Sequence, residues 1–277
     1  MWWPWLVLLA VVALVLCACL AMAVILYKNC QEPFESAFAA LSDTGDGVEV
    51  QEVCHGRVFL PAQQSSNLGL VYLPGALVDA RAYAPLCRDI ANRSGCAVVL
   101  LDMPMRMATF GMSRISQAMR EVTSVTRWAI GGHSLGGAAA AKFFMNAISA
   151  SSELAIDEKR LLHAEVVALL LHAASVDASV SIDLSGLRDI FALQVLAEND
   201  EVHAVLAIKQ EKLSDGNAGV TVTIEGGNHA GFGHYGPQTF PVPDGVSTIG
   251  LAEQQTQVAD ATINWLQAID QRPSRIQ

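Results

Sequence analysis

The sequence is poor in charge and in aromatic side chains: 16% of its 277 residues are charged and 6% are aromatic. It is also 52% apolar, which excludes a disordered polyelectrolyte and leaves ample material for a large core. A basic excess is missing too. Seventeen Lys and Arg face 27 Asp and Glu, a formal net charge of -10. Such a surface repels phosphate backbones, so nucleic acid is excluded as a partner. The six cysteines form no CxxC pair and stand at no zinc-like spacing from histidine, so no metal site is read. Cys54, Cys87 and Cys96 read as small buried hydrophobes. Internal repeats are absent, which excludes a solenoid, and no insertion is long enough for a large separate lid domain.

Polar residues are absent from one long run. Trp5 to Tyr27 is 23 positions without a charge, Asn, Gln, Ser, Thr, Gly or Pro. As a helix rising about 1.5 Å per residue it spans roughly 35 Å, enough for a hydrocarbon core of about 30 Å. All 27 acidic and all 17 basic residues lie beyond it, Lys28 directly at its end. The flank Met1-Trp2-Trp3-Pro4 has no Lys or Arg, and the run is too long for the apolar part of a cleaved secretory signal. An uncleaved single-pass signal anchor over residues 1–28 is the reading, with a long cleaved signal as its rival. Trp2, Trp3 and Trp5 at one end and Tyr27 at the other suit the two interfaces. With Lys28 alone beside the run, the positive-inside rule assigns no side of the membrane. Leu16-Cys17-Ala18-Cys19 loosely resembles a lipoprotein box without its basic start, and Cys30 lies where acylation is conceivable.

Residues 29–47 form a polar, acidic linker, and 48–277 alternate strand-like and helix-like segments. Strands are expected at Val48–Phe59, Leu68–Leu73, Ala97–Asp102, Arg127–Gly131, Val166–His172, Ile190–Ala197 and Val220–Glu225. Helices are expected near Tyr83–Arg93, Ser113–Ser124, Leu135–Ile148, Glu201–Leu213 and Gln255–Ile269. Val258, Ala261, Trp265 and Ile269 fall on one helical face. Val98–Leu101 and Val166–Leu171 are apolar throughout, as parallel strands covered on both faces are. Glu49–Val53 alternates, as an antiparallel edge strand does. The pattern is one α/β domain, a doubly wound and mostly parallel sheet with helices on both faces.

Gly132-His133-Ser134-Leu135-Gly136 sits between an apolar strand and a small-residue helix, the strand–turn–helix setting of a nucleophile elbow. Bulk at 132 or 136 would keep the neighbouring backbones apart, and the helix N-terminus offers N–H groups to a developing oxyanion. A nucleotide-binding turn would follow the first strand, whereas this motif follows roughly the fifth. A serine nucleophile needs an imidazole base and a carboxylate that orients it. His229, between the last strand and the last helix, is the candidate base, with His234 its competitor; His133 is expected to point away into packing. Asp200, at the end of the penultimate strand, is the candidate acid, with Glu198, Glu201 and Asp177 as rivals and a helix N-cap as its alternative role. The chain order Ser134, Asp200, His229 is the hydrolase order. For the oxyanion hole, the backbone N–H groups of Ala76, in Leu73-Pro74-Gly75-Ala76-Leu77-Val78, and of Leu135 are the candidates.

These stretches resemble the alpha/beta-hydrolase superfamily and, more narrowly, the alpha/beta hydrolase fold-5 domain family. The resemblance is carried by Tyr72–Asp79 running on to Leu86, by Gly131–Gly137, by Glu198-Asn199-Asp200 and by Gly226–Gly236, and covers most of residues 65–270. It implies the alpha/beta-hydrolase fold, triad positions at Ser134, Asp200 and His229, and acyl transfer to water without metal or organic cofactor. Superfamily oxyanion loops often begin His-Gly; this one begins Pro74-Gly75, as the narrower family does. The expected partners are a small-molecule ester and a membrane through Trp5 to Tyr27; the Met-rich stretch 102–119 reads either as an apolar pocket lining that would favour a lipophilic ester or as plain helix packing. The same triad also fits an acyltransferase, a thioesterase or an amidase. A catalytically silent scaffold at a membrane is the third reading.

Overall fold

The unbroken apolar runs lie inside one sheet, and each alternate side chain along them enters a different core. The computed structural model describes residues 3–42, 45–148, 165–174, 191–206 and 219–271. The strands are β1 (Val48–Val53), β2 (Gly56–Pro61), β3 (Leu68–Leu73), β4 (Ala97–Leu101), β5 (Arg127–His133), β6 (Glu165–His172), β7 (Phe191–Ala197) and β8 (Gly219–Ile224). They form a single sheet in the order β1-β2-β4-β3-β5-β6-β7-β8. Only the β1–β2 and β2–β4 pairs are antiparallel.

The helices are α1 (Trp3–Lys28), α2 (Glu35–Ala39), α3 (Ala84–Ser94), α4 (Ser113–Glu121), α5 (Leu135–Ile148), α6 (Glu201–Leu206) and α7 (Leu251–Asp270). On one face, Leu70 and Tyr72 of β3 meet Leu86 and Ile90 of α3 and Leu266 of α7. On the other, Val71 and Leu73 meet Ile115 and Met119 of α4 and Phe144 of α5. Two helical layers over a parallel sheet satisfy the apolar character of both strand faces.

The expected strand at Val48–Phe59 is instead a hairpin, broken at Cys54-His55, where His55 takes φ 64°. A Cβ on Gly56, which opens β2, would run into the Leu100 carbonyl of β4. Close approach to the next strand therefore explains the glycine. Cys87 and Cys96 are buried as expected, whereas Cys54, in the hairpin turn, is exposed. The expected helix Glu201–Leu213 is described only over α6; Asp177 and His163 lie outside the described residues.

Within α1, Trp5–Lys28 has a mean hydropathy of 3.1 and none of it is buried, making it long and apolar enough to cross a membrane. The chain after it does not hang free over its described part. Gln31 bridges Val78 in parallel, and the Phe34 N–H donates to the His234 carbonyl at 2.7 Å. Arg88, buried on α3, gathers the carbonyls of Ala40, Ser42 and Val48 and pairs with Asp46.

Candidate functional site

The chain leaves β3 toward β4 on one side and returns to place β5 on the other, so the loops after β3 and β5 face each other across a topological switch point. Ser134 stands there, at the carboxyl end of β5, with φ 52°. A left-handed conformation costs a non-glycine residue about 1–2 kcal/mol, so the surrounding contacts must hold it. They do. The Ser134 N–H donates to the His172 carbonyl at 2.9 Å, and its carbonyl accepts the Ala138 N–H at 3.1 Å. A Cβ on Gly136 would collide with the carbonyls of Leu73 and Pro74. The absence of side chains here lets the β3 loop press against the start of α5. Among the described residues, the N–H groups of Ala76 and Leu135 have no acceptor.

His229 begins a 3-10 turn over Ala230–Phe232, after β8. Three side chains pin its backbone. Asp244 accepts the His229 N–H at 3.2 Å and the Ala230 N–H at 2.8 Å. Gln254 grips Asn228 at both its N–H (3.1 Å) and its carbonyl (2.7 Å), and Gln255 donates to the Gly231 carbonyl at 2.6 Å. Burial raises the Asp244 carboxyl above the usual range even though these two N–H donors favour its charged form. The imidazole is 2% exposed, and its Nδ1 lies 2.8 Å from Asp200 Oδ2. Asp200 follows β7, and its Oδ1 accepts the His203 N–H at 2.7 Å. Asp200 thus bonds His229 and caps α6 at once.

The rival carboxylates go elsewhere. Glu198 accepts the Gly226 N–H, tying the two loops together, and Glu201 is exposed. His234 binds Ser36 at 3.1 Å, away from Asp200. His133 does not point clear of the site. It is fully buried, and its ring centroid lies 4.4 Å from that of His229. Tyr83 fixes it through its Nδ1 at 2.8 Å, and the same hydroxyl accepts the Gly75 N–H at 3.1 Å. Burial pushes the His133 imidazole well below its ordinary range, with the neighbouring His229 and His172 adding to the shift. His133 is therefore neutral at pH 7 and places no fixed charge beside His229.

Ser134, His229, Ala76 and Leu135 line one cavity of about 420 Å³, within the size range of small-molecule sites. Asp200 stands behind His229. Leu77, Met107, Val202, Phe240 and Pro241 make much of the remaining wall apolar. Of the Met-rich stretch only Met107 reaches the cavity; Met103 and Met119 are core residues and Met105 is exposed. Among the described residues no group of His, Cys, Asp or Glu could hold a metal ion. Sequence reasoning missed Asp244, Gln254, Gln255 and Tyr83. Asp244 lies in a stretch with no periodicity to interpret, and the two glutamines look like ordinary polar residues at a helix start.

A sequence model of the alpha/beta hydrolase family matches residues 69–256. No curated protein sequence matches the chain. Among solved structures, carboxyl esterase 2 from the mycorrhizal fungus Tuber melanosporum is similar at 13% identity and TM-score 0.55, over 86% of this chain and 90% of that one. A bacterial heroin esterase is similar at 16% identity and TM-score 0.55, over 86% and 89%. The esterase LipW from Mycobacterium marinum follows at 16% and 0.52, over 86% of both chains. At these identities the likeness is one of fold.

Proposed function

The chain belongs to the alpha/beta hydrolase family, and from that premise we propose that it is a serine hydrolase cleaving a carboxylic ester. One observation carries the proposal: the 2.8 Å Asp200–His229 pair stands behind the cavity that Ser134 lines from its left-handed turn. With Nδ1 donating to Asp200, His229 Nε2 keeps the lone pair a general base needs. In this reading Ser134 Oγ attacks the ester carbonyl carbon as Nε2 takes the hydroxyl proton. The tetrahedral oxyanion is held by the N–H groups of Ala76 and Leu135, which have no acceptor among the described residues. His229 then returns the proton to the departing alcohol, leaving acyl-Ser134. Water, deprotonated by His229, attacks the acyl carbon, and Ser134 leaves with the proton as the acid departs. The esterase names of the similar structures favour an ester among the bonds such a site cleaves.

Labelling of the purified protein with a fluorophosphonate tests this, because the probe reacts only with an activated serine. Wild type should label, and Ser134→Ala and His229→Ala should not. A folded wild type that stays unlabelled, or labels at another serine, overturns the reading.

We also propose that α1 is a single-pass membrane anchor. Its support is the unburied, apolar Trp5–Lys28 span, since a core helix of that composition would be covered by the domain. The intact mass of membrane-extracted protein should include the α1 residues; a mature form lacking them shows a cleaved signal instead.

A further inference from the structure

The last turn of α1 reaches the candidate site. Leu26 forms part of the cavity wall that also holds Ser134, Leu77 and Met107. The chain beyond it is fastened at once to the loop that carries Ala76. The Gln31 N–H donates to the Leu77 carbonyl at 2.8 Å, and the Asp79 N–H donates to the Gln31 carbonyl at 3.0 Å. Arg106 locks this joint from the other side. Its guanidinium donates to the Gln31 carbonyl at 3.1 Å and pairs with Glu32 at 2.8 Å and Asp79 at 3.1 Å. Its own carbonyl accepts the Leu77 N–H at 2.8 Å. Leu77, Met105 and Arg106 all take positive φ, at 61°, 51° and 55°. Such backbone persists only where its surroundings over-determine it, and these bonds do so. Met105 and Phe110, on the segment Arg106 ties to the helix end, are 73% and 60% exposed.

Leu26 is two residues from Lys28, about 3 Å along the helix axis, and Tyr27 and Lys28 mark where an anchor meets the headgroups. With α1 spanning a bilayer, a wall residue at that point would meet lipid on one side and the cavity on the other. We propose that the cavity takes the acyl chain of its substrate from the bilayer along the last turn of α1, with Leu26 as a specificity-determining residue. The substrate class is a membrane-resident ester of a long-chain fatty acid. This rests on the ester-hydrolase reading and on α1 spanning the membrane. A water-soluble ester would gain nothing from a wall built out of a membrane helix, nor from the exposed Met105 and Phe110 beside it.

The full chain in phosphatidylcholine vesicles provides the test, with a soluble aryl butyrate and a vesicle-borne aryl palmitate as substrates. Leu26→Trp should lower the ratio of palmitate to butyrate turnover about tenfold or more. Leu20→Trp, on a different face of the helix and 67% exposed, should change neither. An unchanged palmitate-to-butyrate ratio in Leu26→Trp overturns the proposal. A second measurement needs no turnover. Ser134→Ala in vesicles holding a palmitoyl ester with a diazirine-tipped chain should cross-link at Leu77 or Met107, and Leu26→Trp on that background should abolish the capture. Capture confined to the outer face of α1 overturns the proposal. If capture at Leu77 or Met107 occurs while the wild-type protein takes no fluorophosphonate label, the hydrolase reading falls and the lipid cavity stands.

Discussion

Asp200 divides its carboxylate between two tasks: Oδ2 meets His229 Nδ1 at 2.8 Å, and Oδ1 takes the His203 N–H at 2.7 Å. The two tasks separate by substitution. Asp200→Asn leaves an oxygen for the cap but removes the charge that orients and stabilises the imidazolium, so kcat on a butyrate ester should fall on the order of 10³–10⁴-fold with little change in melting temperature. Asp200→Ala should lose the same activity and about 1 kcal/mol of stability besides, from the lost cap. Equal melting of the two variants would argue against the capping role.

Gly136→Ala adds one methyl group where the β3 loop crosses the elbow. Its Cβ would meet two backbone carbonyls, Leu73 and Pro74, which cannot rotate away as side chains do. We expect a loss of about 1–3 kcal/mol in denaturant unfolding, together with loss of fluorophosphonate labelling in the protein that remains folded. A variant of wild-type stability and labelling would show that the loop tolerates displacement.

Asp244 acts at one remove, through the His229 and Ala230 N–H groups. Asp244→Ala leaves both donors unpaired, at a cost of about 1–3 kcal/mol, and should lower kcat more than it raises KM. Asp244→Asn keeps one acceptor and should recover part of both. If Ala and Asn behave alike, the loop is held by Gln254 and Gln255 alone.

The core histidines make stability fall on acidification. His172 is fully buried between Tyr72 and Thr262, and burial pushes its imidazole down to about 3. In the unfolded chain it titrates near 6.5, so below that pH the unfolded state binds a proton that the fold does not. Stability is therefore complete above about pH 6.5 and declines as pH falls toward 3, by about 1.4 kcal/mol per pH unit for this residue. Buried His133 shifts the same way and adds to the slope. Denaturant unfolding between pH 7 and 5 should show it, and His172→Gln should flatten it even though it lowers stability at pH 7.

Much of this was legible in the sequence because the informative residues report on local geometry. The unbroken apolar runs predicted covered parallel strands, and the glycines flanking Ser134 predicted a close crossing whose partner, Leu73-Pro74, lies some sixty residues earlier. His229 and Asp200, singled out by their places after the last two strands, do meet in a hydrogen bond. What escaped the sequence was held by distant partners. The Tyr83–His133 bond spans fifty positions, and nothing near His133 predicts that its ring would turn toward His229. The hairpin break at Cys54-His55 carries no Asn-Gly or Asp-Gly signal and was therefore hidden within one apparent strand. The stretch 29–47 looked like a free linker because its polar residues reveal their partners, Leu77, Val78 and Arg106, only once folded.

That last difference changes what sort of tether the protein has. A flexible linker of 19 residues would let a domain roam over roughly 25 Å. The bridge at Gln31 comes only three residues after α1 ends, and no such slack remains. Whatever tilt α1 adopts, the sheet adopts with it. On the proposed membrane anchor and ester hydrolase, the height of Ser134 above the end of α1 is a built-in ruler, so that the depth at which an ester sits in its surroundings, and not only its chemistry, selects which bond comes within reach.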